Sequence, residues 1–211
     1  MDMVTAFAPG KCILFGEHAV VYGHPAVAVA IDQGVTVSLS KSDKWSIEGK
    51  PFDANRHPHI HHIIYDLFSY EGEPLNIKIK SNLFSAAGLG SSAALSNAIG
   101  AALHTYLKND DILDPVKLAK ISHSAEAKAQ GGRASPTDTA TSALGGCIVV
   151  SDKDIKGTNH VFKSSLITPE GERIWSINKV NIPSIYDDLY LILGFTGKAS
   201  PTGKMVSGVA E

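Results

Sequence analysis

Several residue classes and patterns that would define a protein are scarce or missing here. Only two cysteines, Cys12 and Cys147, occur in 211 residues. Both sit in apolar, strand-like surroundings, which argues against a disulfide framework and for buried thiols in a reducing compartment. No apolar run approaches the roughly 20 residues that a membrane-spanning helix needs. The start, Met1-Asp2-Met3-Val4, lacks the basic residues and apolar core of a signal peptide. There is no basic block and the net charge is −2, so no surface for nucleic acid or anionic membrane is expected, and any anion site must be local. Internal repeats and low-complexity tracts are also missing. These absences point to a cytoplasmic protein.

What remains reads as an ordinary globular chain, 44% hydrophobic and 19% charged. The opening is strand-rich. Val4 to Phe7 and Ile13 to Phe15 are short β-type runs around Ala8-Pro9-Gly10-Lys11, and Ala26 to Ile31 precedes an alternating run from Val35 to Ser40. A strand ends a hairpin at Ser46 to Glu48. Leu75 to Lys80 alternates as a half-exposed strand, and Ser91 to Leu107 is an alanine-rich helix. Asp114-Pro115 opens another helix, as N-cap and first helical residue, with an apolar face of Val116, Leu118, Ile121 and Ala125. A short helix ends at Gly145-Gly146 before a strand from Cys147 to Val150. After an exposed hairpin near Lys153 to Asn159, Ile174 to Ile177 and Leu189 to Phe195 read as strands.

Between strand and helix lies Gly88-Leu89-Gly90-Ser91-Ser92. Two glycines allow close backbone approach to an anion, and the unpaired N–H groups of a helix start favour negative charge. Ser91 and Ser92 could cap that helix or bind a cation. An ordinary tight turn uses the same residues, so the motif alone leaves both readings open. A dinucleotide site fails on context: Asp110, at the right distance, lies in a loop between two helical patterns and not at the end of a second strand. The pattern GxxxxGK[ST] is absent, which leaves a phosphate site served by serine hydroxyls, a carboxylate and a cation.

Three other polar groups stand out. Glu17 and His18 sit side by side in an apolar stretch, as either a structural pair or a substrate contact. His57, His59, His61 and His62 invite a metal reading, but no HExxH pattern or nearby cysteine supports zinc. Ile60, Ile63, Ile64, Leu67 and Phe68 instead form the apolar stripe of a helix starting near Pro58, with the histidines on its solvated face. Asp138 follows Ser135-Pro136-Thr137, where an aspartate is most often a helix cap.

Taken together, three segments resemble the mevalonate kinases, within the galactokinase, homoserine kinase, mevalonate kinase and phosphomevalonate kinase (GHMP kinase) superfamily. They are Ala8-Pro9-Gly10-Lys11 through Gly16-Glu17-His18-Ala19-Val20-Val21-Tyr22-Gly23, the glycine turn, and Ala134-Ser135-Pro136-Thr137-Asp138-Thr139 with Gly145-Gly146, the last in a form similar to archaeal members. The resemblance implies an ATP- and Mg2+-dependent transfer of phosphate to the 5-hydroxyl of mevalonate, a step of isoprenoid biosynthesis. It implies Asp138 as the proton acceptor beside Lys11, and Gly88, Leu89, Gly90, Ser91 and Ser92 around the phosphates. Ser92 and Glu126 would hold magnesium, and Glu17, His18 and Thr202 would line the substrate pocket. An isoprenoid diphosphate inhibitor and a homodimer are compatible with it. Sibling kinases of phosphomevalonate, the mevalonate 3-hydroxyl or a sugar are the alternatives, as is a non-catalytic nucleotide or isoprenoid-diphosphate binding module.

Three departures accompany the resemblance. The family's second motif usually begins Pro-x-Gly-x-Gly-Leu-Gly-Ser-Ser, whereas this chain has Phe84-Ser85-Ala86-Ala87 before Gly88. Glu126 precedes Asp138 by twelve positions, one more than the family spacing. The third, glycine-rich motif is not found. The expected fold is therefore α+β, with residues 1–186 as an N-terminal domain like the ribosomal protein S5 domain 2 and 187–211 as the start of a truncated, ferredoxin-like C-terminal domain. Such a fragment is expected to be less active than a longer form.

Overall fold

The computed structural model describes residues 3–17, 20, 24–108, 111–132, 134–168, 171–183 and 190–197. Its frame is one eight-stranded sheet. Strands β1 (Val4–Phe15) and β2 (Ala26–Lys41) form a long antiparallel pair. The chain continues through β3 (Ser46–Ile47), β4 (Lys50–Pro51), α1 (Pro58–His61), β5 (Leu75–Ser81), α2 (Ser91–Leu107), α3 (Pro115–Ala129) and α4 (Thr137–Leu144). It closes with β6 (Cys147–Ser151), β7 (Asn159–Thr168) and β8 (Gly171–Val180), giving the order β4-β3-β5-β2-β6-β8-β7 with β1 beside β2. The α+β expectation holds.

The core lies between this sheet and the helices. Val35, Val37 and Leu39 of β2 and Leu75 and Ile77 of β5 are fully buried with Ile99 and Leu103 of α2. A second cluster joins Ala26, Ile148, Val150, Phe162, Trp175 and Ile177 to Ala119 and Ala140. Alternation in the strands and spacing of three or four in the helices place these residues inward, as hydrophobic burial requires. Asp114 caps α3, its carboxylate accepting from the Lys117 N–H at 3.0 Å. No helix among the described residues is long and apolar enough to cross a membrane.

Where sequence reading and structure differ, the backbone supplies the reason. The two short opening runs form one 12-residue strand, because the ladder absorbs Pro9 and Gly10 as a register shift between Pro9 and Lys11. The two runs from Ala26 and Val35 are likewise one strand, β2. The helix from Pro58 passes at His62 into a π-helical stretch, His62–Leu67, closed by Phe68 N–H on Ile63 O at 3.0 Å. That wider turn buries Ile60, Ile63 and Ile64 but leaves Leu67 exposed, outside the stripe that a regular helix would give it.

β7 lies beyond the expected hairpin and breaks simple apolar alternation, since its inward residues include Ser164 beside Phe162. The expected strand near Leu189 to Phe195 is not formed over residues 190–195. A strand needs a neighbour's ladder, and this stretch has no regular secondary structure, with Phe195 stacked on Phe84 at 5.2 Å. Most of the expected second domain, 187–211, lies outside the described residues.

Candidate active site

Lys11 is the buried centre of the candidate site. It is 3% exposed, a position in which an ammonium needs a counter-charge. Asp138 supplies it, with Lys11 Nζ to Asp138 Oδ1 at 3.2 Å. Asp138 lies in the first turn of α4, but Pro136 occupies the N-cap position and no side chain caps the helix. Its carboxylate is therefore committed to Lys11 and not to capping. Desolvation by the surrounding protein pushes the Asp138 carboxyl above the usual aspartate value; Lys11 opposes this, and Glu126 and Glu17 reinforce it.

Backbone contacts set these two side chains in register. The Lys11 N–H donates to Leu89 O at 2.9 Å, joining β1 to the glycine turn. Ser142, one turn after Asp138, donates to Pro9 O at 2.6 Å and fixes α4 against β1. Asn97, buried in α2, donates to Thr139 O at 3.1 Å. A Cβ on Gly90 would come within 2.8 Å of Lys11 Cγ, so the turn passes directly over the lysine stem.

Gly88 and Gly90 both take left-handed φ values, 73° and 69°, and Gly90 is the N-cap of α2. Neither Ser91 nor Ser92 caps the helix. Ser92 turns away and its Oγ–H donates to Glu126 Oε1 at 2.6 Å. Glu126, 5% exposed, also accepts from Gln130 Nε2 at 2.8 Å. Burial would raise its carboxyl, but hydrogen bonds from His59, Ser92 and Gln130 outweigh that and hold it below the usual glutamate range. Gly131 and Gly132, both at positive φ, close α3 after Glu126, with Gly132 N–H on Ala127 O at 2.7 Å. The twelve-residue spacing to Asp138 thus leaves Glu126 against Ser92.

Ala86 stands where the family's second motif places its first glycine, and it has φ 52°. An alanine there carries left-handed strain of about 1 kcal/mol. Ala86→Gly is expected to raise stability by up to about 1 kcal/mol, seen as a higher urea midpoint, after the greater freedom of glycine in the unfolded chain is offset. An unchanged or lower midpoint would show that the turn is relaxed at Ala86.

Of the residues singled out from sequence, Lys11, Asp138, Gly88, Leu89, Gly90, Ser91, Ser92 and Glu126 fall in or around one site. Glu17 is exposed on the turn after β1 and acts electrostatically on Asp138. His18 and Thr202 lie outside the described residues. Sequence reading missed Asn97, Ser142, Gln130 and His123. Each of Asn97, Ser142 and His123 is an ordinary polar residue in its helix, and only its burial in the fold sets it apart. His123 accepts from Ser164 Oγ at 2.9 Å and donates to Ala134 O at 3.0 Å, so it holds the loop that leads to Asp138. A cavity of about 320 Å³ beside the glycine turn, lined by Gln33, Leu83, Phe84, Leu89 and Leu193, holds neither Lys11 nor Asp138.

Known proteins share the sequence and the fold over much of this chain. Residues 59–146 match the GHMP kinases N terminal domain. The chain is 40% identical over 157 residues to the mevalonate kinase of Methanothermobacter thermautotrophicus, covering 71% of this chain and 50% of that protein. The mevalonate kinase of Pyrococcus furiosus is 29% identical over 236 residues, covering 99% and 62%. The crystal structure of the Methanococcus jannaschii mevalonate kinase superposes with a TM-score of 0.60 at 28% identity, over 74% of this chain and 56% of that one. The chain spans about half the length of the first of these relatives.

Proposed function

Because this chain belongs to the GHMP kinases through its N-terminal domain, we propose that it transfers the γ-phosphoryl group of ATP to the 5-hydroxyl of mevalonate, yielding 5-phosphomevalonate and ADP. The observation that carries this reading is the Lys11–Asp138 pair, 3.2 Å apart, lying under a glycine turn at a helix start. Phosphoryl transfer needs a positioned hydroxyl, a proton acceptor and stabilisation of negative oxygen charge, with little covalent help. Asp138 accepts the hydroxyl proton. Lys11 favours the ionised form of that carboxylate and stabilises the attacking oxygen.

The N–H groups from Gly88 to Ser91 cradle the ATP phosphates at the positive end of α2. Ser92 Oγ and Glu126 Oε1 are hard oxygen donors, and Glu126 is held ionised, so the pair suits Mg2+. Bound there, that ion supplies neutralisation of phosphate charge. Glu17, His18 and Thr202 are assigned to the mevalonate pocket. An isoprenoid diphosphate would compete for the same phosphate cradle. The free thiols of Cys12 and Cys147 support a cytoplasmic location, and archaeal relatives at 37–40% identity support an enzyme of archaeal type.

Purified protein is expected to release ADP from ATP and Mg2+ with mevalonate, and at least about tenfold more slowly with phosphomevalonate, galactose or homoserine. A faster rate with another acceptor would reassign the substrate. ATP binding by calorimetry without turnover on any acceptor would make the chain a nucleotide-binding module.

A further inference from the structure

The histidine-rich segment at residues 57–62 was set aside above as a solvated helix face, yet one of its members does not face solvent alone. Pro58 fixes the first turn of α1, and this brings His59 over the start of α2, its side chain 22% exposed. His59 Nε2 lies 2.9 Å from Ser92 Oγ and 3.4 Å from Glu126 Oε1, and those two oxygens are 2.6 Å apart. Three donor atoms from three helices thus form a triangle. Among the described residues no three His, Cys, Asp or Glu side chains converge; here a serine hydroxyl completes the set.

The other histidines do not join it. His62 is engaged by Asp66 at 2.6 Å and Ser124 at 3.2 Å, and His57 and His61 stack on Phe52. His59 therefore stands apart from its neighbours, with its ring nitrogen on both residues assigned to the metal.

Adjacent donors around an octahedral ion with bonds of about 2.1 Å lie about 3 Å apart. The triangle has that scale, so its atoms can serve as one face of an octahedron. Two hard oxygens alone suit Mg2+, which takes carboxylate, hydroxyl and water. A neutral imidazole nitrogen in the same set favours first-row transition ions instead.

Resting on the assignment of Ser92 and Glu126 as metal ligands, we propose that His59 is a third ligand and that the chain carries a mixed nitrogen–oxygen site preferring Mn2+ or Co2+ to Mg2+. Nε2 binds as the unprotonated nitrogen of the neutral ring, so Nδ1 carries the proton. The hydrogen bonds among Nε2, Ser92 and Glu126 are exchanged for bonds to the ion.

The test is direct metal binding to the full chain, followed by loss of the free Mn2+ signal in electron paramagnetic resonance, with Mg2+ as competitor. Pulsed measurement of nitrogen coupling to bound Mn2+ provides a second readout. His59→Gln and Glu126→Gln are compared with wild type. Expected are nitrogen coupling in wild type that His59→Gln removes, a fall in Mn2+ affinity of about tenfold or more in that variant, and a change in Mg2+ affinity of less than about threefold. If Glu126→Gln weakens binding while His59→Gln keeps wild-type Mn2+ affinity or its nitrogen coupling, the metal site stands and His59 is not its ligand. If neither variant alters binding of either ion, the assignment of Ser92 and Glu126 fails as well.

Discussion

Asp138→Asn is expected to lower ADP release with ATP and mevalonate by about 10³-fold, within the range that a positioned general base contributes. The substitution keeps size and shape but removes the ability to take a proton. It also leaves the buried Lys11 ammonium without its counter-charge. The choice of Asp138 rests on what its side chain does in the fold. An aspartate acting as a cap would place its oxygen on a backbone N–H, as Asp114 does on Lys117. Asp138 instead meets Lys11 at 3.2 Å, and α4 carries no side-chain cap. ATP affinity measured by calorimetry should stay within about threefold of wild type, because the phosphates are assigned to the turn at Gly88 to Ser92 and not to Asp138. A rate within about tenfold of wild type would show that Asp138 is not the base.

The same site shows which parts of the protein are legible in a single sequence. The helix boundaries at Ser91, Leu107 and Pro115 follow from local signals: a glycine turn, an apolar run and an aspartate–proline start. Lys11, Ser92, Glu126 and Asp138 are marked as candidates by the resemblance of their segments to known motifs. Their convergence is another matter. Ser92 and Glu126 are 34 positions apart and are joined by the packing of α2 on α3, which no local spacing encodes. Periodicity puts His59 on a solvated face because it assigns a side to a helix without saying what will cover it. Asn97 and Ser142 carry no local sign, since each is an ordinary polar residue until the backbone oxygen it reaches is known. The π-helical stretch at His62 to Leu67 was likewise hidden, because the apolar pattern there fits a regular helix equally well.

Lys11→Met provides the most demanding check on how the pair works. Lys11 is nearly inaccessible while the Asp138 side chain is 39% accessible, so water partly solvates the carboxylate but not the ammonium. Removing the ammonium takes away the influence that holds the carboxyl down, while desolvation, Glu126 and Glu17 still push it up. Two effects follow. The rate is expected to fall by about 10²–10³-fold, the usual loss when one stabilising charge or donor is taken from developing oxygen charge. The acid limb of kcat/KM, which reports the base in the free enzyme, should also move to higher pH than in wild type.

Stability should change with pH in a definite direction. A carboxyl whose folded pKa lies above its unfolded value binds more protons when folded, so its favourable contribution is present below the unfolded value near 3.8 and is lost as pH rises through the folded value. In Lys11→Met that window widens upward. Urea midpoints at about pH 4.5 and about pH 7.5 should therefore show the variant losing more stability than wild type between the two. Met keeps a stem of similar length against Gly90, so the contrast isolates the charge. An acid limb at the wild-type position, or one displaced to lower pH, would mean that Lys11 does not control the ionisation of Asp138. The role of the lysine would then be confined to the attacking oxygen.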